Sequence, residues 1–573
     1  MHALRDNLRL AVRALLRRPG YAAVAMVTIA LAIAGNAAMF SILKAVLLEP
    51  LPYSDPARLV TVDVLSTRGF YVSISIPNYR DYRDRTRAFE RYGGSAGWGF
   101  ILTGRGQAET IGAEAVIGDV FGLLGIEAGL GRVFSAAETE PGSPPVVVLG
   151  ERYWRARLGG DPAILGQSLV FDGRPHTVIG VLPRGVGYPN PDVPAYVPMG
   201  AIPGLPFDDR ESGFGTRALA RLAPGVTAAM AAEQLRSVSR SIAEETGRPQ
   251  PTPEIRSLTA FFVGDVTAQI WILAGAVAFV LLIAVANVGN LALARAEDRR
   301  REVAVRTALG AGRRAVMGTL LTESVVLALG AGALGLALAY GAVRFAVPLL
   351  PDAVPAGLRE RIGVDLGVAS FTFLLAGLTG VLAGLVPALK GTATDLSREL
   401  REGTRGTADA GRQRFRAGLV VVEVALALVL LIGAGLMLQS LRNLRHTDKG
   451  FNEEGVLTAR IPLSGDRYNT SERWKGFYDQ LIARVEALPG VRTAAAALLL
   501  PLAQRSWELG VLPDNVPYDP DQHQSVLFNV VSPGYFQVMG LTLVDGELFT
   551  GAERDDNALA AVIDETMAAR FWP

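Results

Sequence analysis

Five apolar runs, each long enough to cross a bilayer, constrain this chain more than any other feature: Tyr21 to Leu48, Ile270 to Leu293, Val316 to Val347, Leu366 to Leu389 and Ala417 to Leu438. About 20 apolar residues in a helix span the hydrocarbon layer, and there each backbone group must be satisfied within its own helix. Half of the 573 residues are hydrophobic, which fits a membrane protein with large water-facing parts. Arginines crowd residues 295–315 and the linker 390–416, whereas residues 351–365 between the third and fourth runs are short and carry few. Lys and Arg in short loops resist translocation, so the arginine-rich segments belong on the cytoplasmic side together with the N-terminus. The chain then alternates consistently: N-terminus in, residues 49–267 out as a large domain, 295–315 in, a short loop out, 390–416 in, and residues 450–573 out as a second domain.

Residues 1–18 place Leu4, Leu8, Val12 and Leu15 on one helical stripe and Arg5, Arg9, Arg13 and Arg17 on its neighbour. Such a helix lies at the cytoplasmic surface with its arginines toward anionic lipid, and Pro19-Gly20 separates it from the first span. That span is too long for the apolar core of a cleaved signal and is read as retained. A net charge of +1 argues against nucleic acid as a partner. With no cysteine and four scattered histidines, His2, His176, His446 and His523, the sequence offers neither thiolate chemistry nor metal-ligand spacing, and no cofactor is expected.

The outer segment 49–267 reads as mixed α/β. Ser75 can cap a helix through Asn78 to Arg85, with Pro77 in its first turn. Ser168 to Phe171, the turn Asp172-Gly173 and His176 to Val181 read as a β-hairpin, which makes His176 a strand residue rather than a ligand. Arg217 to Leu222 reads as a strand, followed from Thr227 by an Ala-rich helix. Near the C-terminal end the pattern returns. Val116-Ile-Gly-Asp-Val-Phe121 through Gly125-Ile126, then Gly131-Arg-Val-Phe134, is matched by Val531 to Phe536 through Gly540-Leu541, then Gly546-Glu-Leu-Phe549. Ordered matches of this length indicate an internal duplication. The second copy stops at Trp572-Pro573, short of its counterpart, so the intact form is expected to have eight spans in two halves.

Polar residues within the spans are few. Asn36, Asn287, Asn290, Glu323 and Glu423 are candidates for function, although Asn36 is expected to bond a neighbouring helix. Glu323 and Glu423 lie near helix ends, where snorkelling or pairing with a loop arginine costs less than an isolated charge. Gly380-x-x-x-Gly384 and Ala331-x-x-x-Gly335 allow close helix approach. Two matches are decoys. Gly93-Gly-Ser95-Ala-Gly97 follows the end of a charged helix, where a nucleophile elbow needs a strand, and has no acid-histidine pair after it, and Gly330-x-Gly332-x-x-Gly335 sits inside a span. No Walker A sequence occurs, so any ATP-driven work must come from a separate polypeptide.

The charged segment between the second and third spans is the most specific part of the sequence. It runs Arg301-Glu302-Val-Ala-Val-Arg306, then Ala308-Leu309-Gly310-Ala311, then Leu321-Thr-Glu323-Ser324 at the head of the next span. Glu302 and Arg306 form an i,i+4 pair in the favourable order, and Gly310 stands where a glycine stops a helix. This ordered string resembles the cytoplasmic loop of ABC-transporter permeases of the MacB/FtsX type, most of all the duplicated orphan permeases. Leu51-Pro52-Tyr53 and the hairpin resemble the MacB-like periplasmic core domain.

The resemblance implies an α-helical membrane protein of the bacterial inner membrane with α/β extracytoplasmic domains. Spans one to four would form one FtsX-type unit, and a fifth span would start a second copy. Arg301, Glu302, Arg306, Leu309, Gly310 and Ala311 would be the helix that docks on a cytoplasmic ABC ATPase, the subunit that binds ATP. Further partners implied are membrane lipid, a periplasmic adaptor and a second permease half. The function implied is transmission of ATP-driven motion to the outer domains for efflux or export, without enzymatic activity of the chain's own. A second reading is a non-transport scaffold or regulator with no ATPase. A proton-driven carrier is weaker, since its acids belong nearer mid-membrane. A cysteine introduced at Ser143 or Ser464 should react with impermeant thiol reagents in intact cells, and one at Ala311 should not; labelling of Ala311 from outside reverses the topology.

Overall fold

A computed structural model describes residues 2–65, 71–210, 212–213, 215–298, 313–349, 359, 361–391, 407–447, 449–461, 463, 468, 470–502, 507–511, 524–551, 553 and 560–572. The chain divides into two compact units, Met1–Leu51 with Phe262–Arg445, and Pro52–Phe261 with His446–Pro573.

The first unit is helical. An N-terminal helix, His2–Leu16, precedes span 1, Pro19–Leu43, which opens on a proline whose missing N–H would be unpaired there anyway and continues as a π-helical turn, Lys44–Leu48. Span 2 is the helix Leu258–Asp298, span 3 Arg313–Ala346, span 4 Leu366–Gly391 and span 5 Thr407–His446. All five are long and apolar enough to cross a membrane. Span 2 is already helical at Leu258, ahead of the start expected near residue 270, because the Ser257 hydroxyl accepts from Ala260 N and caps it. Among the described side chains of the N-terminal helix, Ala11 is buried and Leu15 half-buried, while Leu8 and Val12 of the expected apolar stripe are exposed.

Small residues set the spacing between spans. A Cβ added at Gly380 of span 4 would lie 2.7 Å from Val325 Cα of span 3, and one at Gly384 would lie 2.7 Å from Ser324 Oγ. A Cβ at Gly335 of span 3 would lie 2.9 Å from Ala30 O of span 1, and Ala331 is fully buried. Hydrocarbon gives no hydrophobic drive for helices to associate, so contact depends on such close approach and on polar links. Span 5 is different, with Val421, Leu431 and Leu438 exposed.

The second unit is α/β. Its main sheet contains β1 (Leu59–Leu65), β2 (Tyr71–Val72), β3 (Phe89–Thr103), β4 (Glu109–Gly118), β5 (Leu130–Gly131), β6 (Val146–Leu149), β7 (Ser168–Phe171), β8 (Arg174–Val181), β9 (Ala195–Pro198), β10 (Arg217–Leu222) and β11 (Thr252–Ser257). The order is β11-β1-β10-β3-β4-β9-β6-β8-β5, with β2 on β1 and β7 bridging β3 and β8. β4 with β9 and β6 with β8 pair in parallel; the remaining pairs are antiparallel. β7 and β8 form a hairpin whose turn places Asp172 and Gly173 at positive φ. Ser75 caps the helix Ile76–Arg85, and Thr227 caps Ala228–Thr246. These helices pack Tyr79, Tyr82, Leu235 and Ile242 into the core. Gly93 to Gly97 lie within β3, where Ser95 is buried opposite Arg217 and Val116, so the nucleophile-elbow pattern is strand.

The duplication is visible in local geometry. Helix Val120–Leu124 ends at Gly125, φ 69°, and helix Tyr535–Met539 ends at Gly540, φ 65°. Beyond each glycine the chain closes with the same bond, Ile126 N to Phe121 O and Leu541 N to Phe536 O, both 2.8 Å. Leu124 O accepts from Ser54 N at 3.0 Å and Met539 O from Asn452 N at 2.9 Å. Phe121 packs on Phe134 as Phe536 packs on Phe549.

Gly384→Leu should lower thermal stability in detergent by about 1–3 kcal/mol through overpacking against Ser324. Gly377→Leu, at a site where an added Cβ meets nothing within 4 Å, should leave it unchanged.

Candidate functional site

Arg301, Glu302, Arg306, Leu309, Gly310 and Ala311 lie outside the described residues. The helices that flank them are described, and they carry a polar site. Arg295, near the end of span 2, and Glu323, nearly three turns into span 3, form an ion pair of 2.5 Å between Nη1 and Oε1, with both residues buried. Arg295 Nη2 also donates to Ala14 O of the N-terminal helix at 3.1 Å, and its guanidinium lies 4.5 Å from the centre of the Tyr21 ring in span 1. A cleft lined by Leu15, Tyr21, Ala292, Arg295, Glu323 and Gly384 surrounds the pair. An uncompensated charge here would be costly, and removing one member of such a pair costs about 3–5 kcal/mol. The acid was a candidate from the sequence. Arg295 was not, because it stood as the first residue of an arginine-rich loop; its place at the end of an apolar run, facing an acid at the head of the next, was the signal.

The other intramembrane candidates are dispersed. Asn36 donates to Ala32 O of its own helix at 2.9 Å and to Val277 O of span 2 at 3.0 Å. Asn287 and Asn290 are half-buried in span 2, and Asn290 Oδ1 is buried without a hydrogen-bond partner among the described residues. Glu423 is half-buried on span 5. At the far end of span 1, Ser41 Oγ donates to Gly363 O at 2.7 Å, and Lys44 pairs with Asp365 and, at 3.3 Å, with Glu49.

In the α/β unit, buried Asp63 on β1 accepts from Arg256 of β11 at 2.8 and 2.7 Å and from Thr61 Oγ1 at 3.0 Å. Arg217 of β10 lies 4.5 Å from the Phe261 ring, and Arg256 lies 5.8 Å from it. Glu114 on β4 is largely enclosed; burial pushes its carboxyl up to about 7 against the opposing influence of the Ser95 hydroxyl and Arg217. His176 is buried in β8 beside Phe171, its Nδ1 3.0 Å from Arg174 O, and burial lowers its affinity for a proton. No group of three or more potential metal ligands occurs among the described residues.

Bilayer-length helices joined by small-residue contacts and a buried ion pair, with the sequence of an α/β domain inserted between the first two, define a multi-pass membrane protein. The family described as MacB-like periplasmic core domain matches residues 22–238, and the FtsX-like permease C-terminal family matches residues 274–396. The uncharacterized ABC transporter permease YknZ of Bacillus subtilis (strain 168) is 28% identical over 243 residues, 41% of this chain and 57% of that protein. The macrolide export ATP-binding/permease protein MacB of Burkholderia thailandensis is 26% identical over 279 residues, 48% of this chain and 40% of that protein. The crystal structure of the periplasmic region of MacB from Actinobacillus actinomycetemcomitans matches with a TM-score of 0.30 and 16% identity, covering 37% of this chain and 94% of that one. The chain belongs to the MacB/FtsX-type permeases of ABC transporters, a family of transporter permease components. It spans 57% and 40% of the lengths of the two relatives named.

Glu114 keeps its proton to about pH 7 in the folded chain but releases it near 4.5 when unfolded. The folded state therefore holds the extra proton between these values, and stability falls as pH rises through that window. Glu114→Gln should flatten this dependence and raise stability at pH 8 by about 1–2 kcal/mol, less than the full shift because the side chain keeps some solvent contact. Thermal unfolding of the purified chain from pH 4 to pH 8 measures both.

Proposed function

We propose that this chain is a permease subunit driven by a separate cytoplasmic ABC ATPase, and that it passes ATP-driven motion to extracytoplasmic domains for export. The observation that carries this reading is the string Arg301 to Ala311, which falls within the FtsX-like match and between two long helices, spans 2 and 3. In this scheme ATP closes two ATPase subunits, these displace the segment from Arg301 to Gly310, and spans 2 and 3 carry the displacement across the membrane. The N-terminus and both arginine-rich segments are cytoplasmic, and the α/β domains face outward from the inner membrane. The relative from Burkholderia thailandensis is named for macrolide export, which supports efflux as the direction of work. A periplasmic adaptor and a second permease half complete the proposed assembly.

Glu302→Lys removes the i,i+4 pair that the spacing to Arg306 predicts, and an exposed pair of this kind contributes only about 0.3–0.5 kcal/mol, so folding and insertion should survive. Reversing the charge at an interface costs more, and association with the ATPase should fall at least tenfold. Glu297→Lys, outside the matched string, is the control. Equal ATPase association for the two variants and the parent would leave a plain positive-inside loop.

A further inference from the structure

Arg295 touches three other helices at once. It pairs with Glu323 of span 3, donates to the Ala14 carbonyl of the N-terminal helix, and lies over Tyr21 of span 1. It does so near the end of span 2, the last helix described before residues 299–312. Stability alone does not account for this choice. A buried ion pair can often be replaced by well-packed apolar side chains at no loss, and the Nε of Arg295 is buried without a hydrogen-bond partner among the described residues. What the guanidinium supplies, and a leucine could not, is direction. Its Nη2 donates to the Ala14 carbonyl and its Nη1 meets the Glu323 carboxylate as an opposite charge, while its flat face lies over the Tyr21 ring. The carbonyl it binds is near the C-terminal end of the helix His2–Leu16, where the last carbonyls lack partners within the helix and a cation is favoured.

We propose that Arg295 is a positioning residue for coupling: it clasps the N-terminal helix, span 1 and span 3 to the end of span 2, so that these four elements respond to the 299–312 segment as one body. Without the clasp, a push on that segment is spent on bending span 2 and span 3 apart, and the N-terminal helix is left behind. The inference rests on the proposed coupling function but concerns residues outside the docking string.

The test uses the full chain in nanodiscs with the ABC ATPase subunit that co-purifies with the parent, and reads ATPase association, permease-stimulated ATP turnover and the mobility of a nitroxide at Arg13→Cys, a position exposed on the N-terminal helix. Arg295→Met, which keeps much of the volume and loses the charge, should leave association within twofold of the parent, cut stimulation at least fivefold and increase nitroxide mobility. Arg295→Lys, which retains the charge for Glu323 and Tyr21, should recover at least half of the stimulation. Glu323→Gln, of the same shape, should shift the same readouts in the same direction and stands in if Arg295→Met fails to insert. Unchanged stimulation and mobility in both Arg295→Met and Glu323→Gln would overturn the clasp, as would a loss of stimulation matched by an equal loss of association. A parent that recruits no ATPase sinks the coupling function instead; the nitroxide then decides alone, with increased mobility in Arg295→Met upholding the positioning role and unchanged mobility overturning it.

Discussion

Helices immersed in hydrocarbon gain little by hiding apolar side chains from one another, so the bundle depends on how closely its backbones can approach. Span 3 is the element on which spans 1 and 4 converge. Gly335 admits the Ala30 carbonyl of span 1 on one side, and Gly332 admits Ala376 of span 4 on another. Span 4 returns the contact through Gly380 and Gly384 against Val325 and Ser324. Each of these glycines leaves room where a methyl group would meet a neighbouring heavy atom closer than 3 Å. Van der Waals contact at that range is dense but has little direction. It fixes distance between spans and leaves their angular relation to other interactions.

Those interactions are few and polar, and they were only partly legible in the sequence. The spans themselves could be read because an apolar run of bilayer length has no soluble counterpart, and the small-residue spacings could be read because their period matches one helix face. Glu323 stood out as an acid in apolar surroundings. Its partner did not, since six further arginines lie within residues 296–315 and nothing local distinguishes Arg295 from them until the packing of Tyr21 and Ala14 is known. The start of span 2 was also obscured. Phe261, Phe262 and Gly264 look like the close of a soluble domain, yet the hydroxyl of Ser257 begins the helix ahead of them.

In the α/β unit, legibility followed sequence distance. The hairpin around Asp172-Gly173, the cap at Ser75 and the helix after Thr227 are determined within a few residues, and each could be read from turn and cap chemistry. Strand order could not. β1 sits between β10 and β11, partners more than a hundred residues away, and the parallel pairing of β4 with β9 crosses several intervening elements. Those choices depend on which faces bury Tyr79 and Phe171 in one core, and no periodicity encodes that. The duplicated helix-and-glycine turn lies between these extremes. Its two copies keep the same backbone bonds, although only some of the side chains around them are alike.

The bond from Asn36 to the Val277 carbonyl and the clasp at Arg295 hold the same helix, span 2, at points about 27 Å apart at 1.5 Å per residue. One bolt allows a rod to swivel; two, set nearly a membrane's thickness apart, do not. Span 2 cannot slide along span 1 by a fraction of a turn without losing a bond to a carbonyl whose position repeats only every 5.4 Å. The stroke open to such a helix is therefore a tilt of the clasped group rather than piston-like travel of a lone shaft, and its amplitude is set by whichever fastening yields first.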